Sequence, residues 1–184
     1  MWGRRGSRAP PYLKVVVCGP FAVGKTTFVK SVCSRTLTTD VELTSPREQA
    51  MKSTTTVALD FGRTWVKGIP VYVFGTPGQS RFLFMWRVLA VGMHGYLFIV
   101  DGSNYASILE GRELYEVMKK LGEYPHLLAV NKQDIQGAIP PEVVADIYGV
   151  DRGKVVPLIA KDRRNAMEVL EKVVDEILNS TSLQ

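Results

Sequence analysis

One short motif constrains this chain more than any other part of its sequence. The run Gly19-Pro20-Phe21-Ala22-Val23-Gly24-Lys25-Thr26 fits the pattern G-x-x-x-x-G-K-[ST]. Its two glycines let the backbone curl so that successive N–H groups point inward at phosphate oxygens. Lys25 adds a positive charge for the β- and γ-phosphates, and the Thr26 hydroxyl is a suitable ligand for Mg²⁺. The motif therefore predicts a nucleoside triphosphate site, without saying which base it takes.

The segments on either side of the motif provide the context that it needs. Leu13 to Cys18 is a short apolar, β-branched run, which predicts a buried strand, and Thr27 to Ser34 has a helical pattern. A helix that starts here places the positive end of its dipole at the same anion. This context favours a phosphate-binding loop over a glycine-rich turn that merely links two elements.

Apolar runs and helical patterns alternate along the rest of the chain. Two strands flank a hairpin turn at Lys67-Gly68 and three more follow, at Val57–Val66, Pro70–Phe74, Tyr96–Val100, His126–Val130 and Lys154–Ile159. Helices are predicted between them and at the end of the chain, at Phe84–Ala90, Ile108–Leu121, Pro140–Tyr148 and Ala166–Leu178. This alternation predicts an α/β fold in three layers, with helices on both faces of a mostly parallel sheet.

The segment from Thr36 to Thr56 interrupts this alternation. It is rich in threonine, contains Pro46 and shows no clear apolar period. We predict a long loop, with a short helical piece near Arg47–Met51. Loops of this length in a compact domain are usually functional.

A second motif, Asn131-Lys132-Gln133-Asp134, follows the predicted strand that ends at Val130. Guanine presents N1–H and the N2 amino group on one edge, and one carboxylate accepts from both donors at once. Adenine offers no such pair of donors, so a buried carboxylate would lose its partners. We therefore predict that Asp134 reads the base. Asn131 would brace the loop, and the aliphatic stem of Lys132 would cover the flat face of the base.

With both motifs in place, the chain from Tyr12 onward resembles a Ras-like small GTPase, and it is most similar to the prokaryotic Ras/Rab-like branch. The resemblance implies a P-loop NTPase G domain over residues 12–184, after a basic flexible tail over residues 1–11. Its sheet would be six-stranded and mixed, with one antiparallel strand. It also implies a GTP/GDP switch that hydrolyses GTP with Mg²⁺, and that meets protein effectors and regulators such as a GAP or an exchange factor.

The resemblance also assigns roles to individual residues. Thr56, with Thr55 as the alternative, would ligate Mg²⁺ together with Thr26 and meet the γ-phosphate through its backbone N–H. Gly78 would contact the γ-phosphate, and Gln79 would orient the attacking water. The complete predicted nucleotide-binding set is Gly19, Phe21, Ala22, Val23, Gly24, Lys25, Thr26, Thr27, Thr56, Gly78, Asn131, Lys132, Asp134, Ala160 and Lys161, with Gln79 and Lys25 as the catalytic residues.

Three positions depart from the pattern of the family it resembles. Ile159 stands where a serine is common in the last loop, a change that backbone N–H contacts could survive. Gly75 stands where the family usually has an aspartate that holds magnesium through a water, so magnesium would depend on Thr26, Thr56 and the phosphates. We expect that Gly75→Asp tightens magnesium binding. Phe21 stands where a small residue is common beside the γ-phosphate, and we expect it to slow intrinsic hydrolysis and to obstruct an arginine supplied by a partner.

Composition narrows the remaining possibilities. The chain has 184 residues, 46% of them apolar, a net charge of +5 and two cysteines, Cys18 and Cys33, which predicts a reduced cytoplasmic protein. Without the three arginines Arg4, Arg5 and Arg8 the charge falls to +2. A basic tail of this kind could touch an anionic membrane or be simply solvated, and we expect neither a nucleic-acid partner nor an integral membrane segment.

Three functions from different classes fit these patterns. The first is the GTP-hydrolysing switch. The second is a pseudo-GTPase, a nucleotide-stabilised interaction module with negligible turnover, which Gly75 and Phe21 favour and Gln79 opposes. The third is an ATP-dependent kinase or ATPase, which would share the phosphate loop but has no use for Asp134.

Overall fold

The middle layer of the fold is a mixed sheet. The computed structural model describes residues 10–43 and 55–181, and only the backbone of residues 38–43 and 55–58. Within these ranges the strands are β1 (Leu13–Cys18), β2 (Arg35–Leu43), β3 (Thr55–Val66), β4 (Ile69–Gly75), β5 (Gly95–Asp101), β6 (His126–Asn131) and β7 (Val155–Pro157). Their order across the sheet is β2-β3-β4-β1-β5-β6-β7.

The sheet confirms the expected topology and corrects its size. β1 is parallel to both β4 and β5, and β6 is parallel to β5 and β7, whereas β3 is antiparallel to β2 and β4. One antiparallel strand was expected, but the described residues form seven strands rather than six. The additional strand is β2, so the prediction of a loop throughout residues 36–56 is wrong for residues 36–43. It is also wrong for Thr55 and Thr56, with which β3 begins. The helical piece predicted near Arg47–Met51 lies outside the described residues.

Helices cover both faces of this sheet. They are α1 (Lys25–Val32), α2 (Leu83–Ala90), α3 (Tyr105–Lys119), α4 (Pro141–Tyr148) and α5 (Arg163–Thr181), with 3₁₀ turns at Ser80–Phe82 and Arg152–Lys154. Each helix predicted from the sequence is present, with ends that differ by a few residues. No helix in the described ranges combines the length and the apolar character that crossing a bilayer requires.

Alternation along the strands creates two hydrophobic cores. Val15 and Val17 of β1 point to one face, where α1 and α5 pack, while Val16 and Cys18 point to the other, where α2, α3 and α4 pack. Strands buried on both faces read as continuous apolar runs, which is why β1 and β5 were recognisable from the sequence. The three-layer arrangement is therefore confirmed.

The β3–β4 hairpin sets a register that matters for the site. Lys67 and Gly68 both have positive φ, 51° and 76°, as the tightest hairpin turns require. From this turn the pairing runs to the pair Asp60 and Gly75, at the carboxyl end of β4. Because β4 is a neighbour of β1, this pair lies beside the strand that leads into the phosphate loop. The hairpin thus brings Asp60 to the edge where the sequence motifs meet.

Candidate functional site

The predicted phosphate loop connects β1 to α1 and has the curled backbone that the motif requires. Gly19, Ala22 and Gly24 all have positive φ, at 139°, 59° and 105°. A Cβ atom at Gly24 would lie 2.3 Å from the side-chain Nδ2 of Asn131, so no side chain fits at position 24. Alternating left- and right-handed residues turn consecutive N–H groups to one side, which forms a concavity for an anion.

Lys25 lies at the floor of this loop. It is only 7% exposed, and its Nζ donates to the carbonyl of Gly19 at 3.0 Å and to that of Pro20. Burial lowers the pKa of Lys25 to about 8, although the carboxylates of Asp60 and Glu110 act in the opposite direction. A polyphosphate next to this ammonium would favour its charged form, so the residue is prepared for an anion.

A cavity of about 630 Å³ opens above the loop. Lys25, Thr26 and Thr27 line it from α1, and Gly78 and Gln79 line it from the segment after β4. At Gly78 the backbone of this segment comes close to the phosphate loop. A Cβ at this position would lie 2.6 Å from Lys25 Nζ and 2.7 Å from the backbone of Phe21. The structure thus brings the predicted catalytic residues Lys25 and Gln79 to one cavity.

Phe21 lies in the same cavity. Its residue is 65% exposed, which is unusual for a phenylalanine, and its ring is not part of either core. A large apolar side chain therefore lines the cavity beside the predicted phosphate site. The position agrees with the expected obstruction of a partner's arginine, which stays a prediction.

Asn131 joins the phosphate loop to the base loop. It is 4% exposed, its Nδ2 donates to the carbonyl of Val23 at 2.8 Å, and its Oδ1 accepts from the N–H of Ala160 at 2.9 Å. The bracing contact predicted for Asn131 is therefore present. The second bond also engages the N–H of Ala160, one of the predicted base contacts, so that N–H serves first to fix the loop.

Asp134 and Lys161 form an ion pair, with Lys161 Nζ 2.5 Å from Asp134 Oδ2, and both residues line a second, smaller cavity on the side of the base loop. The hydrogen bond from Lys161 lowers the pKa of Asp134, which keeps the carboxylate ionised and able to accept. Lys132, at a φ of 65°, pairs in the same way with Asp101, 2.5 Å away. The pairs orient both side chains of the base loop.

The two cavities meet at the phosphate loop. The second, of about 320 Å³, is lined by Asn131, Lys132, Asp134, Ala160 and Lys161. It shares Ala22, Gly24 and Thr27 with the first cavity. A ligand with a polyphosphate at one end and a planar base at the other would therefore span a single groove across the loop.

Asp60 is the functional candidate that sequence reasoning missed. The Thr26 hydroxyl donates to Asp60 Oδ2, so the carboxylate lies against the predicted metal ligand. Asp60 is paired with Gly75 across the hairpin, and a Cβ at Gly75 would lie 3.2 Å from Asp60 Cβ and 3.5 Å from its Oδ2. Asp60 thus places its carboxylate in the space that an aspartate at position 75 would need.

The donor set around Thr26 suits magnesium rather than a metal held entirely by protein. No group of three His, Cys, Asp or Glu side chains that could hold a metal exists in the part of the chain that the structure describes. Mg²⁺ instead takes one or two protein ligands and completes its octahedron with waters and phosphate oxygens. Thr76 Oγ1, in the wall of the same cavity, is buried without a hydrogen-bond partner among the described residues, and could hold one such water.

Thr56 lies in a different setting from the one expected. It is in β3, opposite Glu42 of β2. It precedes Asp60 by four residues, which is roughly 13 Å along an extended strand. Its side chain, like that of the alternative Thr55, is outside what the structure describes, so the magnesium role of either threonine stays a prediction.

Comparisons with known proteins add a family. A model of the family described as "Conserved hypothetical ATP binding protein" matches residues 36–151, more than half of the chain. The matched range starts after the phosphate loop and includes Asp60, Gly75, Gln79 and the base loop.

Relatives were found at low identity. An uncharacterized protein of Methanocaldococcus jannaschii is 27% identical over 169 residues, which cover 92% of this chain and 97% of that protein. ADP-ribosylation factor-related protein 1 of Bos taurus is 26% identical over 125 residues, or 66% of this chain and 60% of that protein. Elongation factor 4 of Amoebophilus asiaticus is 26% identical over 111 residues, or 59% of this chain and 18% of that protein. These similarities support the P-loop GTPase superfamily as a whole and do not single out its Ras-like branch.

Proposed function

This chain belongs to the family of conserved hypothetical ATP-binding proteins, and on that premise we propose that it binds a guanine nucleotide with Mg²⁺. We further propose that it hydrolyses GTP and changes state between GTP and GDP, as Ras-like small GTPases do. The observation that carries the proposal is the single groove over the phosphate loop, with Lys25 lining one cavity and Asp134 lining the other.

The choice of guanine depends on Asp134. The carboxylate is ionised, accessible from the groove and oriented by Lys161, so it can accept from N1–H and the N2 amino group of guanine. Adenine has no donors at these two positions, and it would leave the carboxylate facing a ring nitrogen. The description of the family names ATP, and adenine nucleotide is therefore the second candidate. Asp134 is the residue that argues against it.

Magnesium would be held by Thr26 and Asp60, and when bound it would neutralise charge on the β- and γ-phosphates. The contact between Thr26 Oγ1 and Asp60 Oδ2 supports this assignment, because both oxygens already face one another. A metal site would then not need an aspartate at position 75. The carboxylate that the end of β4 lacks is supplied across the hairpin by β3.

Hydrolysis in this proposal depends on positioning and electrostatics. Gln79 orients a water whose oxygen attacks the γ-phosphorus, and the bond from that phosphorus to the β–γ bridging oxygen breaks. GDP leaves with the electron pair, and a proton of the water passes to the phosphate product. Lys25, at the floor of the cavity, stabilises the charge that develops on the leaving oxygens.

Two measurements test the proposal. Mass spectrometry of the nucleotide released from freshly purified protein should detect GDP or GTP, and adenine nucleotide in its place would contradict the base assignment.

The second measurement concerns hydrolysis. Phosphate release from Mg·GTP should fall about a hundredfold in Gln79→Ala. Gln136→Ala, an exposed loop glutamine outside both cavities, is the matched control and should leave the rate unchanged. Binding of GTP without phosphate release would favour the interaction module.

A further inference from the structure

Arg81 lies two residues after Gln79 and contacts it directly. Its Nε–H donates to Gln79 Oε1 at 2.8 Å. Both side chains line the phosphate cavity, together with Lys25 and Phe21. An arginine can only donate hydrogen bonds, so the oxygen of the Gln79 amide must face Arg81. This contact decides which way the amide of Gln79 is turned.

The guanidinium of Arg81 also packs on the ring of Phe82. Its guanidinium carbon lies 4.7 Å from the centre of the Phe82 ring, which is 7% exposed and packs with Met85 and Leu59. A guanidinium over the face of a buried ring is held by both stacking and electrostatic attraction. Phe82 closes the 3₁₀ turn Ser80–Phe82 that precedes α2. Arg81 is thus a side chain with two anchors, a buried ring and a glutamine amide.

We propose that Arg81 is a positioning residue for GTP hydrolysis, acting through Gln79; the proposal rests on the function proposed above. The Gln79 carbonyl oxygen has two lone pairs, and Arg81 uses one of them, which leaves the second for a hydrogen of the attacking water. The amide NH₂ is then turned away from Arg81 and is free to donate to the γ-phosphate. By fixing this orientation before substrate arrives, Arg81 removes the entropy cost of ordering Gln79 at the moment of reaction.

The arrangement also explains how Phe21 and hydrolysis can coexist. Phe21 lines the cavity that a partner's arginine would have to enter. Arg81 approaches from the chain's own segment after β4, so it needs no entry path from outside. The guanidinium Nη groups make no hydrogen bond to any residue within the ranges described, and their charge remains available to the same cavity. Orientation of the glutamine is therefore built into this chain.

Single-turnover hydrolysis of Mg·GTP tests the proposal, with GTP affinity measured on the same samples. Arg81→Gln should lower the rate about ten- to hundredfold while GTP affinity changes less than about twofold. Arg81→Lys, which retains the charge but not the planar guanidinium, should recover only part of the rate. Arg87→Gln is the matched control, since Arg87 is an exposed arginine of α2 outside this cavity and should have no effect.

A double-mutant cycle separates positioning through Gln79 from a direct or merely structural effect. In the Gln79→Ala background, Arg81→Gln should change the residual rate less than about twofold. An unchanged rate in Arg81→Gln alone, a faster one, or a full additional loss in the Gln79→Ala background would each overturn the role assigned to Arg81 while leaving the proposed function intact. A parent protein that fails to bind or to hydrolyse GTP would overturn both.

Discussion

The groove over the phosphate loop has two sides, which the proposed function assigns to binding and to hydrolysis, and they are built in different ways. The binding side consists of the loops after β1, β6 and β7, and its residues are joined by contacts between distant parts of the chain, such as the bond from Asn131 to Val23, 108 residues away in sequence. The hydrolysis side consists of β3, the end of β4 and the segment up to α2. Here Gly75 departs from the pattern of the Ras-like family, and Asp60 and Arg81 supply side chains that the pattern does not include. Phe21 also departs from that pattern, but it belongs to the loop after β1.

In the proposed function, recognition and turnover therefore depend on different residues. On the binding side, Asn131, Lys132 and Asp134 are held by hydrogen bonds and ion pairs within the chain. The hydrolysis side depends on cross-strand register and on one short turn. Changes on the binding side should therefore alter which nucleotide is bound and how tightly. Changes on the hydrolysis side should alter metal affinity and rate, with little effect on base choice.

The largest effect is expected from Asp134→Asn. An amide at this position presents a donor to the donors of guanine, so GTP affinity should fall by about a thousandfold or more, while XTP, whose base has a carbonyl there, should gain affinity. Fluorescence titration of parent and variant with GTP and with XTP measures both changes in affinity. Asp146→Asn, the same change at an exposed ion pair of α4, is the control. Unchanged GTP affinity in Asp134→Asn would remove the base assignment.

The next effect concerns the carboxylate shared across the hairpin. Asp60→Asn should weaken magnesium about ten- to hundredfold in a titration of Mg²⁺ against nucleotide release, and leave the preference for guanine unchanged. Adding Gly75→Asp to this variant moves the carboxylate to the opposite strand and should restore part of the affinity. In the parent, Gly75→Asp was expected from the sequence to tighten magnesium, but its Cβ would crowd Asp60 at 3.2 Å, and we now expect little gain. Magnesium affinity that is insensitive to Asp60 would contradict this metal site.

A smaller effect should follow from pH. Burial lowers the pKa of Lys25 from 10.5 to about 8, so the folded chain holds fewer protons than the unfolded chain between these values, and its stability should rise with pH across this window. Nucleotide binding requires the charged form. Affinity should therefore fall above pH 8, by up to about tenfold per pH unit, with proton uptake seen by calorimetry in buffers of different ionisation enthalpy.

Lys25→Arg is the control for the pH experiment. Arginine remains charged throughout this range, so any dependence that persists in this variant belongs to the nucleotide and not to residue 25. A pH dependence that is the same in parent and variant would show that the buried ammonium does not titrate on binding.

The smallest change in nucleotide affinity is expected from Asn131→Ala. It leaves the carbonyl of Val23 and the N–H of Ala160 without partners, at a cost of about 3 kcal/mol in the free energy of unfolding. The Tm should fall by about 10 °C and GTP affinity by a few-fold. Asn104→Ala, which removes one helix cap from α3, should cost about 1 kcal/mol without changing affinity. Equal effects of the two variants on GTP would contradict the bracing role.

The features that could be predicted from the sequence are local ones. The phosphate-loop and base-loop motifs lie within eight and four consecutive residues, and strands buried on both faces are visible as apolar runs. β2 was missed because it is an edge strand. It ends the sheet on one side, and its Leu37 is 63% exposed, so its sequence lacks the apolar period that marks a buried element.

Asp60 was missed for a different physical reason. Its role follows from pairing with Gly75 across a hairpin, and no local pattern contains both residues. A signal did exist: a lone aspartate interrupts the apolar run of a predicted strand, whose hairpin partner ends where the resembled pattern loses its own aspartate. Counting back from the Lys67-Gly68 turn would have paired the two. Long-range register, rather than residue type, is what the sequence did not display.

The most direct test of the central claim is a side-by-side calorimetric titration of the nucleotide-free chain with Mg·GTP and Mg·ATP. We predict saturable binding of GTP, with ATP at least about a hundredfold weaker because it cannot satisfy Asp134. Equal affinities, or a preference for ATP, would contradict the account.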